Sequence, residues 1–349
     1  MILLRLCLGL LLTVVAWTAW PKGPDSDESP WLLAPLVSSD PKVGSSAGVL
    51  GGYLHRFDEQ SPTSTFGVSG TYSDTDSYVA ALFGQAYFGA DRHRWSGLVA
   101  TGKIRNDYED FLGTGLPVQT TDDLRLGALR YLRRVSNGWL VGLQLVATNY
   151  LISGDDWFSQ QVVETLGLTG FDSNGLGLVA QYDTRDHQNA PTRGSRLVLQ
   201  NLAYREALGG DEDFDTYGIK YHQYLNHGAG HVLAWRAMAR VTDGAPPGAY
   251  SSIPTRGYVR GGYLAKHMIA LEVEERFRLA PRWALAGFTG ATCLLDAVGD
   301  CDAGENWFPM LGAGVIFTLK PRERIVIRMD YAVGKSGNQG FYMSFGHPF

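Results

Sequence analysis

The chain ends in the ten residues Gly340 to Phe349, which read GFYMSFGHPF. Apolar side chains alternate here with small or polar ones, and in an extended strand such alternation places one set on each face of a sheet. One face carries Phe341, Met343, Phe345 and Phe349. His347 interrupts this row, and Pro348 removes one backbone donor. The pattern predicts a final strand with an apolar outward face.

Segments of about nine to thirteen residues repeat this two-residue period along the chain. Segment 325–334 places Ile325, Ile327, Met329, Tyr331 and Val333 on one face, opposite Arg328 and Asp330. Segment 268–277 sets apolar residues against Glu272, Glu274 and Arg276. A soluble β-sandwich also alternates, but strands of ~9–11 residues can cross a bilayer, whereas globular strands average ~5–6. Charges in mid-strand are typical of a wet lumen. The sequence therefore predicts an all-β fold, a transmembrane antiparallel β-barrel.

The connections alternate in length, as do the periplasmic turns and external loops of bacterial barrels. Short turns include 89–91 and 136–138. The longer stretches are 103–122, 150–173, 206–213, 243–265 and 296–308. Counting back from Phe349 gives fifteen strands, and Trp31–Ser38 supplies a sixteenth, with fourteen strands as the alternative. No amphipathic helix is predicted, and an even strand number would place both chain ends in the periplasm.

The composition agrees with a barrel and disfavours other classes. Hydrophobic residues make up 45% and charged residues 19% of the chain, and the mean hydropathy is -0.10. After the N-terminal region no stretch stays apolar for the ~18 residues that a membrane helix needs. The 43 glycines and the abundant aromatic residues suit turns and aromatic girdles. A net charge of -5 gives no basic face for nucleic acid.

The N-terminal residues resemble an export signal. One cation, Arg5, precedes an apolar run from Cys7 to Val15, and small residues follow at Ala16 and Ala19. We expect residues 1–19 to be a cleaved signal peptide, 20–30 a disordered periplasmic leader and 31–349 the barrel. An uncleaved anchor helix is the alternative.

Two cysteines remain beyond the predicted signal, Cys293 and Cys301. An exported chain with an even cysteine number permits a disulfide across this short interval. Two free or buried thiols are the alternative.

The sequence predicts no catalytic, cofactor or metal site. Gly67-Val68-Ser69-Gly70 lacks the second glycine of a nucleophile elbow. The eight histidines show no clustered ligand spacing. Asp183, Asp186 and His187 lie close in sequence, but an exposed turn explains them better than an acid–histidine pair. The run Asp211-Glu212-Asp213 is interpreted as solvated, although it could attract divalent cations at a lipopolysaccharide surface.

Three stretches resemble the barrel domain of the BamA/TamA-type outer-membrane translocases, also called bacterial surface antigens. They are 175–194, with Tyr182-Asp183-Thr184-Arg185-Asp186, Pro191 and Gly194; 254–277, with Arg256-Gly257-Tyr258; and the last two strands, 324–349. The terminal row of Phe341, Met343, Phe345 and Phe349 resembles the signature by which such barrels are recognised for assembly. The N-terminal half is similar only in its alternation.

The resemblance implies that loop 243–265 folds back into the lumen, where Arg256 pairs with an acid. Arginine suits this role because its planar fork makes several charge-assisted hydrogen bonds. Candidate partners in the lumen are Glu272, Glu274, Arg276 and Asp330. In the family the partner acid lies in an F-x-D-x-G motif, whereas the corresponding run here is Phe288-Thr289-Gly290. We therefore expect Glu272 or Glu274 to hold the loop, with an ordinary surface loop as the alternative.

The stretch from Tyr182 to Gly194 is predicted to be a periplasmic turn. Its carboxylates and Arg185 could cap turn amides or pair with each other, while Pro191 and Gly194 shape the turn. We expect exposed side chains there.

Three functions remain open at this level. The resemblance implies a barrel that assists protein insertion or translocation through an imperfectly paired seam between its first and last strands. The alternatives are a passive or gated pore and a structural or adhesive surface barrel, with Glu275 and Gln223 as outward polar groups that could support a homodimer.

The predicted partners are the lipid bilayer, lipopolysaccharide and a polypeptide client. About a dozen residues separate the signal from the first strand, too few for the ~50 of a periplasmic POTRA domain. The chain thus resembles the standalone barrel members, for which a separate periplasmic partner would collect clients.

Overall fold

The computed structural model describes residues 29–40, 44–108, 116–165, 168, 170–259, 261–297 and 299–347. The predicted signal peptide 1–19, the leader up to residue 28 and the terminal Pro348 and Phe349 lie outside these residues.

The described residues form a closed antiparallel barrel of sixteen strands, as predicted. The barrel strands are β1 (Trp31–Asp40), β2 (Gly44–His55), β3 (Ser64–Ser73), β4 (Tyr78–Phe88), β5 (His93–Tyr108), β6 (Val118–Ser136), β7 (Trp139–Gly154), β8 (Phe171–Asp183), β9 (Gly194–Tyr204), β10 (Phe214–Asn226), β11 (Val232–Asp243), β14 (His267–Arg278), β15 (Trp283–Leu295), β16 (Trp307–Lys320), β17 (Ile325–Gly334) and β18 (Gln339–Phe345). Each pairs with its neighbours in sequence, with β11 beside β14, and β18 closes onto β1.

Smaller elements lie in the connections. A two-stranded sheet joins β12 (Ser251–Ser252) to β13 (Leu264–Ala265), and the helix α1 spans Trp157–Thr165. Short 3-10 helices are Glu206–Leu208, Pro247–Ala249, Asp300–Asp302, Gly304–Asn306 and Lys335–Gly337. None of the described helices has the length and apolar content to cross a bilayer.

Alternation separates the two faces of the wall, as the sequence predicts. On β14 the outward Ile269 and Leu271 are exposed, whereas Glu272 and Glu274 are fully buried. Arg328 and Asp330 on β17 are buried in the same way, opposite the outward Tyr331. The charged side chains thus lie in the lumen because successive residues of a strand point to opposite faces.

The two ends of the barrel differ. One end, called here the loop end, carries the long connections 155–170, 205–213, 244–266 and 296–306. The other, the turn end, carries connections that include 89–92, 137–138, 184–193 and 321–324. The connection between β5 and β6 is shorter than the predicted stretch 103–122, because β5 continues to Tyr108 and β6 begins at Val118.

The helix α1 was not predicted, and its local contacts explain it. Asp156 caps its first turn by accepting from the backbone and hydroxyl of Ser159, both at 2.9 Å. Val163 is fully buried against Val118 and Leu168. The helix has only two buried residues, Ser159 and Val163, so its apolar pattern is too weak to stand out in the sequence.

A disulfide joins Cys293 to Cys301, which resolves the two sequence alternatives. Cys293 ends β15 and is fully buried, while Cys301 lies in the connection at the loop end. The bridge ties this connection to the barrel wall.

We expect replacement of both cysteines by serine to lower stability by about 2–4 kcal/mol, because a cross-link restricts the unfolded chain. Urea unfolding of the oxidised wild type against the double variant measures this. Reductant should shift the wild type and leave the double variant unchanged. Equal midpoints for the two proteins would show that the bridge contributes nothing.

Candidate functional site

Connection 244–266, called here the lumen loop, lies inside the barrel wall. Its residues Ile253, Tyr258 and Ala265 are buried in one apolar cluster with residues of β14 to β17, among them Met268 and Phe288. This agrees with the fold-back that the family resemblance implies and excludes an ordinary surface loop.

Arg256, in the lumen loop, contacts three carboxylates. Its Nε donates to Glu272 at 3.0 Å, its Nη2 to Glu274 at 3.0 Å and its Nη1 to Asp330 at 2.9 Å. A further short contact joins Nη2 to Glu272. The guanidinium carbon lies 3.3 Å from the centre of the Phe288 ring, a cation–π arrangement. Glu272 and Glu274 thus both bind Arg256, and Phe288 supplies an aromatic face beside it.

The same carboxylates bind arginines of the barrel wall. Arg236 donates to Glu272 at 3.1 Å. Arg276 donates to Glu274 at 2.7 Å, and Arg328 bridges Glu274 and Asp330 at 2.8 and 3.0 Å. This network of four arginines and three acids is called here the lumen network. Because buried charges are costly without partners, each carboxylate needs its arginines.

Gly257 and Tyr258 fix the loop against the last strands. Gly257 has φ +89°, a backbone conformation that residues with a side chain rarely adopt, and a Cβ there would lie only 3.2 Å from the carbonyl carbon of Val333. Glycine avoids both the strain and the close contact. Its backbone N–H donates to the hydroxyl of Tyr342 on β18 at 3.2 Å. The Tyr258 hydroxyl donates to Pro309 O at 2.5 Å and accepts from the backbone N–H of Lys335 at 2.7 Å. The lumen loop therefore contacts the strand that closes the barrel.

Connection 184–193, called here the turn segment, begins with a buried ion pair. Asp183, at the end of β8, accepts from Arg185 Nε at 2.9 Å and from Arg94 Nη1 at 2.7 Å. The side chains of Asp183 and Arg185 are only 1% and 6% exposed. The expectation of exposed side chains is therefore wrong for this pair, because Arg94 approaches from the β5 side of the lumen.

The turn segment reaches across the turn end of the barrel. Arg324, in the connection between β16 and β17, donates to Asp186 at 2.8 Å. Asn189 donates to Glu323 O at 2.8 Å in the same connection. Since β9, β10, β11, β14 and β15 lie between β8 and β16 in the sheet, these contacts bridge the mouth of the barrel.

Asp186 organises the turn itself. It accepts from the Thr192 and Arg193 amides at 2.8 and 3.1 Å. Burial alone would raise the pKa of the Asp186 carboxyl, but these amides and the Arg324 guanidinium outweigh burial and hold the pKa below its ordinary value of 3.8. Gly194 has φ +93°, and a Cβ there would come within 2.2 Å of Thr184 O.

The other predicted residues of the turn stretch 182–194 lie outside these ion pairs. Tyr182 packs on Trp139, with ring centres 5.3 Å apart. Pro191 is fully buried, and its carbonyl accepts from Arg276 at 3.4 Å.

The predicted outward row of the last strand is only partly found. On β18, Phe341 and Met343 pair with Tyr331 and Met329 of β17, respectively. Phe345 departs from the predicted outward row, because it packs against the buried Leu32, Leu54 and Ile325.

Arg94 and Asp91 are site residues that the sequence analysis missed. Arg94 donates to Asp91 through two nitrogens, at 2.8 and 2.7 Å, and joins it to Asp183. Alternation along β5 could have predicted that Arg94 points inward, but its partner Asp183 is 89 residues away in the sequence.

Within the described part of the chain no group of three or more His, Cys, Asp or Glu could hold a metal ion.

A closed antiparallel barrel with an arginine-bearing loop paired in its lumen defines the class of protein: a transmembrane β-barrel with an inward-folded loop. A model of the Omp85 superfamily domain matches residues 63–263, more than half of the chain. The chain therefore belongs to the Omp85 superfamily. Omp85-type barrels are outer-membrane proteins, which supports an outer-membrane location. No curated protein sequence matches the chain.

Several solved structures share the fold. The crystal structure of BamA from Haemophilus ducreyi lacking POTRA domains 1–3 superposes with a TM-score of 0.58 at 14% identity, over 92% of this chain and 71% of that one. CdiB from Acinetobacter baumannii gives 0.57 at 12% identity, over 91% and 60%. CdiB from Escherichia coli gives 0.59 at 11%, over 92% and 63%. The chain spans less than two thirds of either CdiB chain, and identities this low show the fold alone.

We expect Arg256→Ala to release the lumen loop, because it leaves Glu272, Glu274 and Asp330 without their shared cation. Breaking a buried ion pair of this kind costs about 3–5 kcal/mol. Single-channel conductance in planar bilayers should be small for the wild type and rise in the variant. Arg105→Gln is a matched control, since its pair with Asp76 is 49% and 63% exposed. A large, steady wild-type conductance would contradict a closed lumen.

We expect Asp186→Asn to lower the thermal midpoint at neutral pH, because it removes the charge that binds Arg324 and the turn amides. A carboxyl with a lowered pKa stabilises the fold above its ordinary value and loses this effect as pH falls through its folded pKa. The difference between wild type and variant should therefore shrink on acidification below 3.8. Glu212→Gln, at an exposed position of the loop end, should behave as wild type throughout. A pH-independent difference would refute the assignment.

Proposed function

We propose that this barrel assists the insertion or translocation of polypeptides at the outer membrane, through a seam between β1 and β18. The observation that carries the proposal is the sparse pairing at this seam. Among the described residues, β1 pairs with β18 only at Ser38–Tyr342 and Ser39–Phe341. By contrast, β1 pairs with β2 at every position from Trp31 to Asp40.

Sparse pairing matters because each unpaired strand residue presents backbone donors and acceptors to another chain. β18 has only seven residues, whereas β1 has ten. Among the described residues, the register of β1 with β18 covers Ser38 and Ser39 and does not extend over 32–37. In lipid such an edge is costly to leave unsatisfied. A client strand could supply the missing hydrogen bonds.

The lumen loop supports this role from inside the barrel. Gly257 binds the Tyr342 hydroxyl on β18, and Tyr258 binds the backbone of Lys335, just before that strand. Movement of the loop would therefore act directly on one side of the seam. The loop serves as the element that couples lumen and seam.

The cellular setting completes the proposal. Residues 1–19 act as the export signal, the leader 20–30 lies in the periplasm, and the barrel contacts lipid and lipopolysaccharide. The client is an unfolded polypeptide, and a separate periplasmic protein delivers it. The turn end faces the periplasm, and the loop end faces outward.

A gated pore is the second candidate, because the lumen loop and the turn segment both obstruct the lumen. The conductance of the wild type without client discriminates here, since a gated pore would open to solutes on its own, whereas a barrel that acts through its seam would stay closed. The adhesive or dimeric alternative stays a prediction. Its two outward polar groups have partners within the chain: Glu275 accepts from His227 at 2.8 Å, and Gln223 accepts from Tyr221 at 2.6 Å. A homodimer remains a prediction for cross-linking in intact membranes.

We expect a disulfide across the seam to abolish client insertion. Ser39→Cys with Phe341→Cys locks a pair that the structure places face to face. Val37→Cys with Ala47→Cys locks β1 to β2 instead and is the matched control. Insertion of an unfolded barrel into liposomes should stop in the seam variant, return with reductant and persist in the control. Undiminished insertion by the locked seam would reject the proposal.

A further inference from the structure

The lumen contains a chamber between the lumen network and the turn segment. Its volume is about 540 Å³. The wall comes from inward residues of β3 to β6, β8 to β11, β17 and the end of β18, and Gln188 and Asn189 of the turn segment complete it. The proposed function does not use this space.

The lining of the chamber has one sign of charge. Its ionisable cations are Arg94, Arg130, Arg185, Arg196, Lys220 and Arg236, with His222 and His347 beside them. No aspartate or glutamate is among the described residues that line it. Three of these arginines are paired with carboxylates outside the lining: Arg94 with Asp91 and Asp183, Arg185 with Asp183, and Arg236 with Glu272. Positive charge is therefore in excess here.

Two of the arginines are held by neutral groups. Arg130 donates through one nitrogen to the amide oxygens of Gln144 and Gln200, at 2.6 and 2.9 Å. Arg196 donates to Gln181 at 3.1 Å, and its buried Nε has no hydrogen-bond partner. Within the described part of the chain neither arginine has a carboxylate partner. Neutral amides orient a guanidinium without neutralising it, so its attraction for an anion is preserved.

We propose that the chamber binds a phosphate-bearing small anion, with Arg130 and Arg196 as its principal ligands and Lys220 on β10, the strand next to that of Arg196. Guanidinium groups match the geometry of phosphate oxygens, and partly buried charges are screened by salt less than exposed ones. The chamber is far larger than one phosphate group, so it has room for an organic moiety attached to it.

A route into the chamber is visible at the turn end. A second cavity of about 350 Å³ lies at the barrel mouth. It shares Arg94, Arg185, Gln188 and Asn189 with the chamber. Five arginines line this outer cavity, but five carboxylates line it too, those of Glu59, Asp91, Asp183, Asp186 and Glu323, so the excess of positive charge begins only in the chamber. An anion entering from this end would pass along the turn segment.

The experiment uses the full barrel in maltoside detergent, free of phospholipid, with radiolabelled inorganic phosphate in equilibrium dialysis. We expect saturable binding by the wild type. Arg130→Gln with Arg196→Gln should weaken it at least about tenfold, because two charge-assisted donors lose their charge. Arg133→Gln is the matched control, an exposed arginine of the same strand β6, and it should bind as wild type.

The other outcomes are equally decisive. Absence of saturable binding by the wild type, or equal binding by the double variant, overturns the proposal. If the double variant does not show the heat-dependent gel mobility of a folded barrel, Lys220→Gln takes its place with the same criterion.

Competition by short-chain phosphatidic acid separates the two possible sources of the phosphate group. Tighter binding than inorganic phosphate identifies a lipid headgroup, and weaker binding identifies a free phosphate compound. Insertion of clients through the seam can fail or succeed independently of these results.

Discussion

The burial of Glu272 and Glu274 inside the barrel is the constraint from which the rest of the architecture follows. Both carboxylates are fully removed from solvent, which is tolerable only with paired cations. The wall supplies Arg236, Arg276 and Arg328, and the lumen loop must enter to supply Arg256. The position of the loop is therefore set by the charges of β14 and β17 and by the burial of Ile253 and Tyr258 in the apolar cluster.

The same constraint links the interior to the closing strand. Arg256 holds the lumen loop, the loop holds Tyr342 through Gly257, and Tyr342 lies on β18. At the other end the turn segment is held by a second group of buried charges around Asp183. These two anchors enclose the cationic chamber, so the charges that close the lumen also define what could bind within it.

The sequence predicted features governed by short-range periodicity. The sixteen strands and their inward charges follow from alternation and from where it stops, whereas the imperfect seam was implied only by the family resemblance. The arginine of the lumen loop and its acids were found because inward acids cluster on one strand, and a family resemblance pointed to the loop. The Phe288 contact was not foreseen, although Phe288 stood in the run that lacked the expected acid.

What escaped prediction depends on contacts distant in sequence. Asp183 was expected to be exposed because nothing near it indicates that Arg94 lies across the lumen. Arg324 is 138 residues from Asp186, and a turn motif alone does not specify that distance in space. The helix α1 was missed because it has only two buried residues and a local cap.

The brevity of β18 has a consequence for the surrounding lipid. Its seven residues are fewer than the roughly 9–11 that a tilted strand needs to cross a bilayer, whereas β6 has nineteen. The apolar wall is therefore lower beside the closing strand than on the far side of the barrel. Acyl chains there would have to shorten their span, because a membrane accommodates a short hydrophobic wall by local thinning. The barrel would thus thin the bilayer on the side where its own wall is least complete.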